Sequence, residues 1–205
     1  MAYVLAIVLG YLLGCSNMAY YIAKWKKADL RSAGSGNLGA SNATILLGWR
    51  AGIATGAHDV AKSAVAVLVI SLLFPEQELA PIVAGVASVL GHIFPFYLKF
   101  KGGKGFASFW GMTLALSWKL ALVVGAAIIL VTLITDYIVM GTFTTIFSVP
   151  IYMGFTRSWI VALILAIATA VILYKHRENI PRLLNGTEVG LRSAIRGDNK
   201  LSKKE

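Results

Sequence analysis

Between Lys119 and Arg157 only one charged residue, Asp136, interrupts an apolar run. A helix crosses the roughly 30 Å hydrocarbon core of a bilayer in about 20 residues. The run is therefore too long for one crossing and reads as two helices meeting at Thr135-Asp136-Tyr137. The same test gives runs over Ala2–Ala23, Ala51–Phe74, Ala80–Leu98, a short one over Gly105–Trp118, and Trp159–Tyr174. With 14% charged residues, against about 25% in an ordinary soluble domain, water is not the main solvent. The expected fold is an all-α integral membrane protein with seven transmembrane helices. It forms one domain over residues 1–205, with a polar basic tail from about residue 189.

Alternation of the spans puts three polar segments on one side: the stretch after the first span, the loop Lys99–Gly105, and the chain from Lys175. They hold 16 of the 19 Lys and Arg residues. Positive charge collects on the cytoplasmic side, so the N-terminus is expected outside and the C-terminus in the cytoplasm. This also disposes of nucleic acid as the reason for the net charge of +10, since topology accounts for it. Leu12-Leu13-Gly14-Cys15 resembles a lipoprotein cleavage site. No Lys or Arg precedes Lys24, however, so the first segment is read as an uncleaved span. Cys15, the single cysteine, excludes an internal disulfide.

Three polar patches fall on the predicted cytoplasmic side. Gly34-Ser35-Gly36-Asn37-Leu38-Gly39-Ala40-Ser41-Asn42 combines small residues, which let backbone approach a ligand, with Ser and Asn donors; successive amides of such a loop can form an anion nest. An ordinary flexible loop has the same composition. Lys101-Gly102-Gly103-Lys104-Gly105 leads into the fourth span. At about 14 residues, roughly 21 Å, that helix is too short for the bilayer and should start below the surface. Its free N–H groups, its dipole and two lysines favour phosphate. The third patch runs Lys175-His176-Arg177-Glu178-Asn179-Ile180-Pro181-Arg182, then Asn185-Gly186-Thr187-Glu188. His176 and Asn179 share a helical face. His176 can serve as proton acceptor or phosphate donor; a basic anchor at the end of a span fits equally.

Inside the second span Asp59 and Lys62 share a face. Charges at that depth pair or line a polar cavity, and a structural ion pair is the reading here. His58 and His92 are read as packing histidines. The histidines lack paired metal-ligand spacing and no carboxylate cluster suits a hard cation, so no metal or other cofactor is expected. A G-x-S-x-G elbow is absent. So is an aspartate five residues after any histidine, the arrangement of another acyltransferase class.

At these patches the chain resembles the acyl-phosphate-dependent glycerol-3-phosphate acyltransferases of bacteria, the PlsY family. Gly34–Asn42 is similar to the family's first motif. Leu90-Gly91-His92-Ile93-Phe94-Pro95 leading to Phe100–Gly105 is similar to its second, and His176–Ile180 with Gly186-Thr187-Glu188 to its third. The resemblance implies a multi-pass enzyme of the bacterial inner membrane, with its site facing the cytoplasm. Such an enzyme moves an acyl group from acyl phosphate to the 1-hydroxyl of glycerol 3-phosphate, giving lysophosphatidic acid and phosphate, as a monomer or simple homo-oligomer. It implies functional roles for Ser35, His176 and Asn179. Gly36, Asn37, Gly39, Asn42, Lys101, Gly102, Gly103, Lys104 and Gly105 would bind substrate and phosphate, and Glu188 would be structural. Ile45 stands where the family motif has arginine, and Leu38 where proline is common. Arg50, a turn further along, is the candidate substitute. A transporter of an anionic metabolite and a weakly active or inactive paralogue are the competing readings.

Overall fold

The computed structural model describes residues 1–196; the final part of the expected basic tail lies outside the described residues. Every regular element among the described residues is a helix: α1 (Ala2–Cys15), α2 (Met18–Trp25), α3 (Ala40–Leu47), α4 (Trp49–Leu73), α5 (Ala80–Ile93), α6 (Phe106–Leu116), α7 (Trp118–Thr135), α8 (Ile138–Thr156), α9 (Trp159–Lys175), α10 (Asn179–Leu184) and α11 (Leu191–Arg196), with one 3-10 turn at Phe96–Leu98. Five stretches are long and apolar enough to cross a membrane: Ala2–Trp25, Trp49–Leu73, Ala80–Leu98, Trp118–Thr135 and Ile138–Thr156. Phe106–Leu116 and Trp159–Lys175 are shorter apolar helices.

Along α7, Leu120, Ala121 and Val124 are buried while Leu122, Val123, Ile129, Leu130, Leu133 and Ile134 are exposed. Such an apolar exterior suits lipid, where helices associate by close packing rather than by hydrophobic exclusion. Residues Phe109, Met112, Ile146, Leu165 and Ile172 interlock in the largest core cluster. Between α1 and α5 the backbones themselves meet. A Cβ on Gly10 or Gly14 would overlap the Ala84 or Ser88 backbone, and one on Gly91 would overlap the Tyr11 carbonyl.

The first apolar run is not one continuous helix. It breaks at Ser16-Asn17, where the Asn17 side chain accepts from the Tyr20 amide at 2.8 Å and starts α2. A break in apolar surroundings frees carbonyls that need donors. Tyr97 Oη donates to the Cys15 carbonyl (2.9 Å) and Lys62 Nζ to the Ser16 carbonyl (2.7 Å). Lys62 Nζ also donates to Asp59 Oδ1 (2.8 Å) and to His92 Nδ1 (2.9 Å). Three ammonium hydrogens thus meet three acceptors, all inside the bundle. His92 Nδ1 also lies 3.2 Å from Asp59 Oδ1. Asp59 and Lys62 therefore pair as expected, and also brace the helix break.

A second repair concerns Pro150, inside α8. Proline lacks an N–H and leaves the carbonyl four residues earlier unbonded; Thr169 Oγ1 on α9 donates to that Ile146 carbonyl at 2.9 Å. The third run ends as a helix at Ile93, because Pro95 cannot continue it, and finishes as the 3-10 turn. The long run divides at Asp136, whose left-handed φ of 68° ends α7. Asp136 receives hydrogen bonds from the backbone amides of Leu191 (2.6 Å) and Arg192 (2.9 Å). This joins the α7–α8 turn and the chain beyond α9 at one end of the bundle.

Candidate active site

The three polar patches converge at that same end, around a cavity of about 450 Å³. The first patch supplies Ser35, Gly36 and Asn37, the second Lys101, Gly102 and Lys104, and the third Lys175, Arg177 and Glu178; Arg31 completes the lining. Five cationic side chains against one carboxylate make a strongly anion-attracting basin.

Each loop is held from behind. Asn42 is buried, and its amide donates to the Leu30 carbonyl (2.8 Å) while its oxygen accepts from the Ser35 backbone N–H (3.0 Å). Asn42 thus shapes the loop that presents Ser35 and lies outside the cavity lining. Asn17 adds a second brace by donating to the Leu38 carbonyl at 3.1 Å. Gly36, at φ +66°, takes the left-handed turn that a side chain would resist. Gly39 precedes α3 as its N-cap, away from the cavity lining.

In the second loop the Gly102 and Gly103 amides donate to the Ile93 and His92 carbonyls, at 3.0 and 3.1 Å. They satisfy carbonyls left open at the end of α5, so these two N–H groups do not form an anion nest. The glycines matter for closeness instead. A Cβ on Gly102 would overlap the His92 carbonyl and Pro95, and one on Gly103 would overlap the His92 ring. Gly105, at φ +94°, turns the chain into α6 against Ile93 and Ile172. Gly103→Ala is expected to lower stability by about 1–3 kcal/mol, the usual scale for overpacking, and to reduce turnover by displacing Lys104. Gly125→Ala, where a Cβ finds only ordinary contact at 3.6 Å to Trp110, should leave both near wild type. Thermal unfolding in detergent with an activity assay compares the two.

Lys104 points inward, with Nζ donating to Asn179 Oδ1 at 2.6 Å. The Asn179 amide donates to Glu188 Oε1 (2.9 Å), and Arg182 Nε to Glu188 Oε2 (2.8 Å). Because an ammonium only donates and a carboxylate only accepts, the Asn179 amide has one possible orientation. Glu188 orients Asn179, which in turn orients Lys104. Burial pushes the Lys104 ammonium below the usual lysine range, aided by nearby Arg182 and opposed by Glu188.

His176 is buried, edge-on to Phe143 at 6.0 Å between centroids. Its Nδ1 lies 2.8 Å from the Ile172 carbonyl; a carbonyl cannot donate, so Nδ1 carries the proton and Nε2 the lone pair. Burial lowers its pKa to about 4, the Ile172 carbonyl opposing and the nearby Lys104 adding to the effect. The ring is neutral at pH 7. His176 is outside the cavity lining, between Lys175 and Arg177 that belong to it.

Arg50 stays away. It is exposed on the first turn of α4, its guanidinium 5.4 Å over the Trp49 ring, and does not line the cavity. Arg31, Lys175 and Arg177 do; sequence reasoning assigned none of them a role of its own, although Lys175 and Arg177 belong to the third patch and only Arg31 counted as plain loop charge. Their proximity to the recognised motifs was the available signal. His92 likewise proves to be more than a packing histidine, since it joins the Asp59–Lys62 pair to the back of Gly103. Among the described residues no group of three or more His, Cys, Asp or Glu side chains is disposed to hold a metal ion. Where histidines do meet a carboxylate, at Asp59, the Lys62 ammonium is hydrogen-bonded among them.

Residues 4–186 match the family model described as glycerol-3-phosphate acyltransferase. Curated relatives carrying that name include one from Thermoanaerobacter pseudethanolicus, 38% identical over 90% of this chain and 93% of its own length. Another, from Shouchella clausii, is 38% identical over 97% and 95%. The crystal structure of PlsY (YgiH), an integral membrane glycerol 3-phosphate acyltransferase in its glycerol 3-phosphate form, superposes with a TM-score of 0.89 at 32% identity, covering 96% of this chain and 98% of that one. Its lysophosphatidic acid form gives 0.85 at the same identity, covering 96% and 100%.

Proposed function

Because this chain belongs to the glycerol-3-phosphate acyltransferase family, we propose that it transfers a fatty acyl group from acyl phosphate to the 1-hydroxyl of glycerol 3-phosphate. The products are lysophosphatidic acid and inorganic phosphate. The single observation that carries the reading is the convergence of all three motifs on one cavity lined by five cations. Both substrates are phosphorylated, and their mutual repulsion requires such a basin.

The chemistry needs little else. Acyl phosphate is an activated mixed anhydride. The glycerol hydroxyl oxygen attacks the acyl carbon, the new ester C–O bond forms, and the acyl C–O bond to phosphate breaks. Phosphate departs with the bonding pair. Orientation and fixed positive charge supply the rate. Lys104, held by Asn179, stabilises phosphoryl charge, and Ser35 lines the same cavity. The hydroxyl proton passes to His176 Nε2 or to a phosphate oxygen. The protein works as one domain of seven spans in the bacterial inner membrane, with its N-terminus outside and the cavity facing the cytoplasm. The positive-inside charge distribution supports that orientation.

Purified protein supplied with acyl phosphate and glycerol 3-phosphate should release phosphate and lysophosphatidic acid in equal amounts. Uptake into liposomes without chemistry would instead support the transporter reading. The pH profile separates the two proton acceptors. As acceptor, His176 must be neutral, so its limb falls only as pH drops through about 4. A phosphate oxygen loses its second charge near pH 6. A fall near pH 6 that persists in His176→Gln assigns the proton to phosphate; near-wild-type turnover of that variant removes His176 from the reaction.

A further inference from the structure

With Ile45 in place of the family's arginine, and Arg50 stacked on Trp49, the guanidinium groups at the cavity are Arg31 and Arg177. Arg177 is tied to its own helix end, 4.2 Å over the Tyr174 ring with Nη1 donating to the Tyr174 carbonyl at 3.2 Å. Arg31 does something different. Its Nη2 donates to the carbonyls of Leu98 (3.1 Å) and Lys101 (3.2 Å). These carbonyls bracket Lys99 and Phe100, both held at left-handed φ of 55° and 58°. One side chain thereby joins the segment preceding the first motif to the loop that carries Lys104.

The base of Arg31 is fixed as well. Its backbone N–H donates to Asp29 Oδ1 at 2.8 Å, and the neighbouring Leu30 is buried, with its carbonyl bonded to Asn42. Among the described residues its Nε and Nη1 make no hydrogen bond. A guanidinium carries five N–H donors in one plane. Here only Nη2 is engaged, on a residue that lines the cavity with Ser35, Gly36 and Lys104. Both forked edges of a guanidinium include Nη2, so Nε–H and the Nη1 hydrogens, which face different sides, remain as separate charged donors for phosphoryl oxygens.

We infer that Arg31 is a phosphoryl-binding residue of this site: Nη2 clamps the Lys99–Gly105 loop, and its free N–H donors receive a substrate phosphoryl group. The inference rests on the acyl-transfer reading for its kinetic test but not for its binding test. Full-length protein in detergent, with Arg31→Gln and Arg31→Lys, gives kcat and KM for both substrates, and thermal unfolding with and without inorganic phosphate. Arg31→Gln is expected to raise KM for one phosphorylated substrate at least tenfold while changing kcat less than threefold. Arg31→Lys should recover part of that, and the stabilisation by phosphate should shrink in Arg31→Gln. Whichever KM moves, that for glycerol 3-phosphate or for acyl phosphate, identifies the phosphoryl group. Both KM values within twofold of wild type would overturn the assignment, and a lower melting temperature alone would leave only the clamp. If wild-type protein turned over neither substrate, the acyl-transfer reading would fail, and the phosphate shift would decide. Its loss in Arg31→Gln supports the assignment and its retention defeats it.

Discussion

Replacing Lys104 with methionine is expected to lower kcat/KM by at least about a hundredfold, the scale on which removing one fixed electrostatic group costs an active site. Methionine keeps the unbranched shape, one atom shorter, and removes the charge. The ammonium sits 2.6 Å from Asn179 Oδ1, inside a chain that ends at Glu188 and Arg182. Losing it leaves the Asn179 oxygen without its donor, a penalty of about 1–3 kcal/mol in stability, so folding should survive. Steady-state rates for both substrates, with thermal unfolding as a control, would test the expectation. Turnover within threefold of wild type in a folded protein would remove Lys104 from phosphoryl stabilisation. Glu188→Gln acts one step further back and should give a smaller loss of the same kind, because Asn179 keeps a weaker acceptor.

Asp59→Ala should be the most destabilising single change, at about 3–5 kcal/mol. Asp59 is 1% exposed and Lys62 6%. Without the carboxylate, a buried ammonium keeps only the Ser16 carbonyl and His92 Nδ1 as partners. Removing both charges together relieves that penalty, so Asp59→Leu with Lys62→Met should be more stable than Asp59→Ala alone. The double variant should still lose activity, because His92 then lacks the donor that holds it behind Gly103. Unfolding in mild detergent gives the stabilities. A single variant within 1 kcal/mol of wild type would show that the pair braces nothing.

Some of this was legible from residues alone. The division of the Lys119–Phe155 run at Asp136 followed from length and one charge, and α9 begins and ends within a residue or so of its apolar run. The gathering of basic loops followed from alternation. Other features were hidden. α3 lies in a stretch that read as polar loop, since eight residues of mixed polarity carry little periodic signal. The break at Ser16-Asn17 was masked because apolar residues continue on both sides. At the site, Ser35, Lys101, Gly102 and Lys104 line the cavity, while Asn42, Gly39 and Arg50 sit apart from it and Arg31 joins it.

The apolar runs by themselves determined that the chain is a bundle of membrane-crossing helices. A bilayer forces each segment to satisfy its backbone internally, which makes helix formation a property of the segment. Where that local rule is broken, the remedy comes from elsewhere in the chain. Lys62 reaches Ser16 across 46 residues, Thr169 reaches Ile146 across 23, and Arg31 reaches Leu98 across 67. Only the tertiary structure decides such pairings, because each depends on which helix ends meet in space, and no window of sequence carries that information.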